Sequence, residues 1–287
     1  MAVKKRAKTL AHGRPPVAKH AKQMNSKQTQ NIISTHHRLE KEKAAAIKKG
    51  DQTAADALTE AIEKNGGLPT YQAASKLGQS KVRGGDSSKV LVEWLQEEGI
   101  LKTKPLDESS NSPLRLLEVG ALSTKNEISR HPKQMQVTRI DLNSQEPGIE
   151  QQDFMERPLP TAPEDRFDIL SLSLVLNYVP DPVGRGEMLK RLAQFLQKPD
   201  HYDEKETKLP SLFFVLPLPC VKNSRYMNEK LLLRIMENLG FAVLHKKSST
   251  KLCYYLFRLA RKGNKAKTEK RIVNDGVTRN NFSIIVK

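Results

Sequence analysis

The stretch that decides the fold is LRLLEVG at residues 114–120, followed 15 residues later by QVTRID at residues 136–141. The first run is apolar enough to predict a buried strand that stops at Gly120. We expect a helical segment after it and a second strand that ends on Asp141. This order of elements is typical of the nucleotide-binding half of an open α/β sheet: a strand, a glycine turn, a helix and a second strand that ends in an acid about 20 residues after the glycine.

Three residues of this unit are candidates for contact with an adenosine-containing ligand. Gly120 has no Cβ and lets the backbone approach the ligand closely. Asp141 at the next strand tip can accept hydrogen bonds from both ribose hydroxyls, and Glu118 can face a cationic group. The alternative is an ordinary strand-to-helix turn, because one glycine replaces the usual three.

The net charge of +17 over 287 residues is concentrated at the two ends. Residues 1–50 carry 13 Lys/Arg and 2 acids, and residues 258–287 carry 9 Lys/Arg and 2 acids. The rest is close to neutral, with 27 Lys/Arg and 28 acids. A neutral body with cationic arms favours a polyanionic partner such as RNA. Solvated tails or nuclear import signals would explain the same runs.

Several classes of protein are disfavoured by the composition. No apolar run approaches the ~18 to 20 residues of a membrane span, and no secretory signal opens the chain, so we expect a soluble intracellular protein. Only Cys220 and Cys253 are present, and the seven histidines are scattered. We therefore expect neither a disulfide scaffold nor a metal site.

Composition divides the chain into four parts. Residues 1–25 are predicted to be a disordered basic arm, since they have little to bury. Residues 26–105 form a helical domain, residues 106–260 the nucleotide-binding domain, and residues 261–287 a basic tail. The apolar end of the tail, Phe282–Val286, is expected to dock onto the body.

From Leu114 onward, strands alternate with helices and end in a hairpin, which predicts a largely parallel sheet with helices on both faces and one antiparallel edge. Asp153 ends the third strand and could accept the adenine amino group, with Phe154 or Leu142 against the ring. An exposed acid at a strand end is the alternative for Asp153.

The loop KVRGGDSSK at residues 81–89 leads into a helix. Two glycines beside Arg83 suit an anion at a helix N-terminus, and we count Arg83 among the candidate substrate-binding residues. A plain loop with an Asp or Ser cap explains the same residues.

Four motifs together resemble the fungal 25S ribosomal RNA adenine-N1 methyltransferase family, which has the Rossmann-like seven-stranded fold of class I methyltransferases. The similarity extends over roughly residues 26–287. The motifs are LEVGALS (117–123), SLSLVLNYVP (171–180), RGGDSSK (83–89) and NNFSI (280–284).

The resemblance implies methyl transfer from S-adenosylmethionine to N1 of one adenosine in 25S rRNA, free or in a pre-ribosomal particle, in the nucleus and nucleolus. The family's cofactor positions match Gly120 and Asp141, and Ser171 is added to the cofactor set. Asn177 could hold the edge of the adenine while Tyr178 stacks on it. Alternatively, Asn177 caps a turn and Tyr178 packs in the core. No catalytic base is carried over, and a monomer is expected.

Two other functions are compatible with this fold. A metazoan relative of the family resembles a signalling protein that reports S-adenosylmethionine levels, but a sensor or adaptor does not need basic ends. A ribosome assembly factor would use the basic ends and leave Gly120 and Asp141 unexplained.

Overall fold

The computed structural model describes residues 24–78, 85–102, 112–144, 146–199, 208–264 and 266–287. Strands β1 to β7 span Leu114–Val119, Met135–Asp141, Glu150–Gln151, Ile169–Ser173, Ser211–Pro217, Phe241–Ser248 and Leu252–Leu259. Helices α1 to α7 span Ser26–Lys49, Gln52–Lys64, Gly67–Gly78, Ser88–Glu97, Pro182–Phe195, Leu218–Lys222 and Glu229–Asn238. Short 3-10 helices span Glu127–Arg130 and Pro163–Asp165.

The seven strands form one sheet in the order β3-β2-β1-β4-β5-β7-β6. β1 to β5 are parallel, and β7 runs antiparallel to both β5 and β6. The chain places β2 on one side of β1 and β4 on the other, so their carboxyl ends border the crevice where open α/β sheets bind ligands. The predicted fold class is confirmed, including the closing hairpin.

Helices cover both faces of the sheet. On one face, α5 and α7 pack their apolar residues, among them Leu189 and Ile235, on the core. On the other face, α4 buries Trp94 and Leu95 against the sheet. The sequence pattern groups α4 with the N-terminal helices, whereas in the structure it packs on the strands.

The structure does not contain the helix that the sequence predicted directly after Gly120. Residues 121–126 are irregular, and only the 3-10 helix Glu127–Arg130 follows before β2. The segment is short, holds several turn formers and ends at Pro132, and Ile128 is its one large, fully buried side chain. On this face of the sheet α4 packs in the same hydrophobic cluster as Ile128, where a longer helix would compete with it for the apolar surface.

Helices α1 and α3 contact the carboxyl edge of the sheet, and α2 packs on both of them. Their ends follow from the sequence, because Asp51 caps α2 and Gly50 ends α1 in the left-handed conformation (φ +75°). Gln72 of α3 donates from Nε2 to the carbonyl of Asn143, just beyond β2, at 2.8 Å. The N-terminal helices therefore border the ligand crevice directly.

The C-terminal segment docks onto the body, as predicted. Phe282, Ile284 and Val286 are all buried in the core that contains α5 and α7. Among the helices that the structure describes, none is both long and apolar enough to cross a membrane.

Candidate functional site

The glycine turn at the end of β1 is tied to the end of β2. The backbone N–H groups of Gly120 and Ala121 both donate to the carbonyl of Ile140, at 2.8 and 3.1 Å. Gly120 has φ +77°, a conformation that favours glycine. A Cβ at this position would lie 2.3 Å from Cγ2 of Val175, in the loop after β4. The turn thus requires glycine for both its conformation and its space.

Glu118 is a buried carboxylate with one oxygen left without a hydrogen bond. Its Oε1 accepts from Nδ2 of Asn126 at 2.8 Å, and Oε2 lies 3.5 Å from Nε of Arg139, too poorly aligned for a hydrogen bond. Burial raises the pKa of Glu118 to about 7, and the nearby charge of Asp86 acts in the same direction, whereas Arg139 opposes it. A cationic ligand group beside Oε2 would lower this pKa again.

Asp141 lies at the tip of β2, half-buried, as expected for a residue that contacts a ribose. Its Oδ1 accepts from the backbone N–H of Asn143 at 2.8 Å, and Oδ2 has no hydrogen-bond donor among the described residues. Burial raises the pKa of the Asp141 carboxyl. The neighbouring side chain, Leu142, is 59% exposed and available to contact a ring.

The remaining residues predicted to bind the cofactor do not all lie at the crevice. Asp153 uses Oδ1 to accept from the N–H of Met155 (2.7 Å) and so stabilises its own turn. The position of Phe154 differs from the prediction that it lies against the adenine ring. Its side chain is buried in the core against Phe195 rather than at the crevice. This placement favours Leu142, the alternative that the sequence left open. Ser171 is buried on β4 beside Glu118.

Space at the adenosine position is closed by α3. A cavity of about 10 Å³ remains there, lined by Gln72, Lys76, Ala121, Leu122, Asn143 and Ile149. This is room for about one water molecule. A nucleoside can enter only if α3 or its side chains move away from the strand tips.

The loop after β4 carries the two predicted adenine-binding residues. It begins at Leu174, whose backbone is left-handed (φ +58°) although it is not glycine, a feature found most often at functional sites. Oδ1 of Asn177 is buried and has no hydrogen-bond partner among the described residues, so none of them is capped through this atom. Such an acceptor is suited to the amino group of an adenine.

Tyr178 lies in an aromatic cluster built by three separate segments. Its ring meets His37 of α1 edge-on at 4.0 Å between centroids and Tyr71 of α3 at 6.1 Å, and Tyr71 in turn stacks on His36 at 4.4 Å. Burial raises the pKa of both tyrosines and lowers that of His37 to about 4, so His37 is neutral at pH 7. The sequence missed this cluster, because nothing local links helices α1 and α3 to the loop.

Arg83 lies outside the described residues, so its role stays a prediction. The described end of its loop reaches the site, since Oγ of Ser87 lies 2.9 Å from Oγ of Ser173 at the end of β4. Asp86 accepts from the N–H of Ser88 at 2.8 Å, as a helix cap would. The loop is thus anchored between α4 and the crevice.

A protein-family model matches residues 56–284 of the chain, which is most of its length. The model describes 25S rRNA (adenine(2142)-N(1))-methyltransferase, Bmt2. The chain belongs to this family. The resemblance seen in the sequence motifs is thereby confirmed.

Two curated yeast proteins are similar over most of the chain. The 25S rRNA (adenine(2142)-N(1))-methyltransferase of Saccharomyces cerevisiae is 43% identical over 226 residues, 78% of this chain, and the chain spans 61% of that relative's length. The 25S rRNA adenine-N(1) methyltransferase of Schizosaccharomyces pombe is 40% identical over 257 residues, 88% of this chain and 89% of the relative.

Similarity to solved structures is much weaker. A SAM-dependent methyltransferase from Aquifex aeolicus matches 65% of this chain and 97% of its own, at 15% identity and a TM-score of 0.37. A likeness at this level says nothing about the function of the chain.

Membership in the Bmt2 family implies S-adenosylmethionine as the cofactor. The side chains at the crevice have the chemical groups that such a cofactor requires. Oδ2 of Asp141 is available to the ribose, and Oε2 of Glu118, which lies 3.5 Å from Nε of Arg139 without a hydrogen bond, would also face a cationic ligand group. The space left by the missing Cβ of Gly120 is filled by Val175, so a ligand would approach this turn only if that side chain moved. The crevice lacks the volume for the adenosyl group, and this volume can open only if α3 or its side chains move away from the strand tips.

Proposed function

We propose that this chain is an enzyme that transfers the methyl group of S-adenosylmethionine to N1 of an adenosine in 25S rRNA. Support comes from the family match over residues 56–284 and from the two yeast relatives that carry this activity in their names. The sensor and assembly-factor alternatives gain no specific observation from the structure.

One contact carries the proposal. Val175, two residues before Asn177, occupies the space directly beside Gly120, where a Cβ would meet it at 2.3 Å. The loop proposed to hold the adenine therefore packs against the turn proposed to hold the methyl donor. A transfer reaction needs donor and acceptor sites in contact in this way.

The chemistry asks little of the protein beyond alignment. S-adenosylmethionine supplies an activated methyl group, and N1 of adenine supplies a lone pair in the ring plane. Since N1 of a neutral adenine carries no proton, no side chain has to act as a base. The residues have to hold the two atoms close and in line, which alone can supply several kcal/mol.

Asn177 and Tyr178 are the residues proposed to hold the adenine. A paired adenine uses N1 in its Watson–Crick bond, so the base must be unpaired or flipped out. Oδ1 of Asn177, which no described residue hydrogen-bonds, would accept from the N6 amino group. Tyr178 would contact the face of the ring, supported from behind by His37 and Tyr71.

Purified chain incubated with labelled S-adenosylmethionine and a 25S rRNA transcript tests the proposal. Nucleosides digested at neutral pH are analysed by mass spectrometry, and 1-methyladenosine is expected. The same transcript annealed to a complementary strand should stay unlabelled, because pairing occupies N1. Label at another position, or none, would contradict the proposal.

We also propose a nucleolar location and action as a monomer on rRNA or a pre-ribosomal particle. The basic ends of the chain support the RNA partner. A fluorescent fusion that stays in the cytoplasm would contradict the location, and light scattering that gives a dimer would contradict the monomer.

A further inference from the structure

Arg185, in the first turns of α5, is a buried guanidinium without a carboxylate partner among the residues that the structure describes. Only 4% of the residue is exposed to solvent, and no acidic side chain among the described residues lies within ion-pair distance of it. Burial lowers its pKa to about 10, so it keeps its charge at neutral pH. Burying an unpaired charge is costly, so all its donors must find acceptors elsewhere.

The acceptors are backbone carbonyls from two segments. Nε donates to the carbonyl of Val179 at 2.8 Å and Nη2 to that of Pro180 at 3.4 Å. Nη1 donates to the carbonyl of Ser283 in the C-terminal segment at 2.7 Å. The guanidinium also lies 4.5 Å from the centre of the Phe282 ring. One side chain therefore links the C-terminal segment to residues 179 and 180.

Those two carbonyls immediately follow the proposed adenine-binding residues. The other end of this short loop is fixed by the N–H of Leu174, which donates to the carbonyl of Val215 on β5 at 3.0 Å. Arg185 fixes the far end at Val179 and Pro180. The position of Asn177 and Tyr178 over the crevice thus depends on both attachments.

The C-terminal segment is seated firmly enough to serve as the anchor. The N–H of Ile285 donates to the carbonyl of Pro182 at 2.9 Å. A Cβ on Gly186 would lie 1.9 Å from the carbonyl oxygen of Ile285, so the two backbones are in direct contact. Ser224 also donates its hydroxyl to the carbonyl of Phe282.

We propose that Arg185 is a positioning residue for methyl transfer, which holds the adenine-binding loop in place by tying it to the C-terminal segment Phe282–Val286. The last residues of the chain then belong to the acceptor site, separate from any role of the tail in RNA binding. The inference rests on the proposed function, because it concerns how that reaction's acceptor is aligned.

The test is Arg185→Lys in the full-length chain, since a lysine keeps the charge and cannot reach three carbonyls at once. We expect kcat to fall about 10- to 100-fold, because misplacement by a fraction of an ångström loosens the alignment. The Kd for S-adenosylmethionine should stay within about twofold of wild type. A loss confined to kcat distinguishes positioning from general destabilisation.

Arg191→Lys is the matched control. This arginine lies on the same helix and donates to the carbonyls of Phe154 (2.8 Å) and Arg157, remote from the adenine-binding loop. It should lower the melting temperature to a similar extent and leave kcat unchanged. If Arg185→Lys does not fold, Phe282→Leu, which removes only the ring beneath the guanidinium, should give a smaller loss of kcat.

The outcomes separate the two levels of the proposal. Wild-type kcat in Arg185→Lys, or equal losses of kcat in the Arg185 and Arg191 variants, would overturn the positioning role alone. A wild-type chain that forms no 1-methyladenosine would overturn the proposed function and this inference with it.

Discussion

The donor side of the crevice is built by two adjacent strands, whereas the acceptor side is assembled from segments far apart in the chain. Glu118, Gly120 and Asp141 lie within 24 residues of one another on β1 and β2. The acceptor side joins the loop after β4 to α1, α3, α5 and the last residues. The residues proposed for the donor side are close in sequence, although α3 and Val175 also border them, whereas those of the acceptor side are brought together only by the fold.

Substitution at Gly120 should have the largest effect, because it disturbs the donor turn directly and the loop after β4 through Val175. Gly120→Ala places a methyl group 2.3 Å from Val175 and strains the turn, so we expect calorimetry to show a Kd for S-adenosylmethionine raised about 100-fold. Gly50→Ala is the control for backbone strain, since Gly50 has φ +75° with open space around it. Unchanged affinity in Gly120→Ala would remove the donor site from this turn.

The corresponding change on the acceptor side is Asn177→Ala. Removal of an amide that meets the adenine should lower kcat/KM about 10- to 30-fold and leave the Kd for S-adenosylmethionine unchanged. Single-turnover assays with saturating cofactor measure the first quantity and calorimetry the second. If cofactor affinity fell as well, the two sides could not be treated as separate.

The donor side should also show a pH dependence that the acceptor side lacks. Glu118, with a pKa of about 7, is mostly neutral below that pH and negative above it. Only the negative form attracts a cationic ligand, so affinity for S-adenosylmethionine should rise close to tenfold from about pH 6 to about pH 7.5. The rise should vanish in Glu118→Gln and persist in Glu237→Gln, which changes an exposed residue of α7.

The smallest effect is expected from the basic N-terminal arm, residues 1–25, which supplies none of the proposed site residues. Deletion of residues 1–25 should weaken RNA binding and make its salt dependence shallower, by about 0.7 in slope for each phosphate that the arm neutralises. Turnover at saturating RNA should stay within about twofold. An unchanged salt slope would leave the arm as a targeting signal only.

The same difference between the two sides explains which features could be predicted from the sequence. Residues of β1 and β2 were predictable because a strand, a glycine and an acid follow one another at fixed spacing. The helix expected after Gly120 was wrong because α4, from an earlier part of the chain, already covers that face of the sheet. A local pattern cannot show such competition for the same surface.

On the proposed acceptor side, Asn177 and Tyr178 were predicted from a motif, whereas the residues that contact their loop were not predicted. His37, Tyr71 and Arg185 contact the loop across large separations in sequence, which no spacing rule reveals. Phe154 illustrates the converse error, since its place at a strand end suggested the crevice while its ring packs in the core.

A crystal structure of the chain with S-adenosylhomocysteine is the most direct test of this division. We expect the ribose hydroxyls on Oδ2 of Asp141, the thioether sulfur on the side of Asn177, and α3 displaced from the strand tips. A ligand bound elsewhere, or Asp141 turned away from it, would contradict the account.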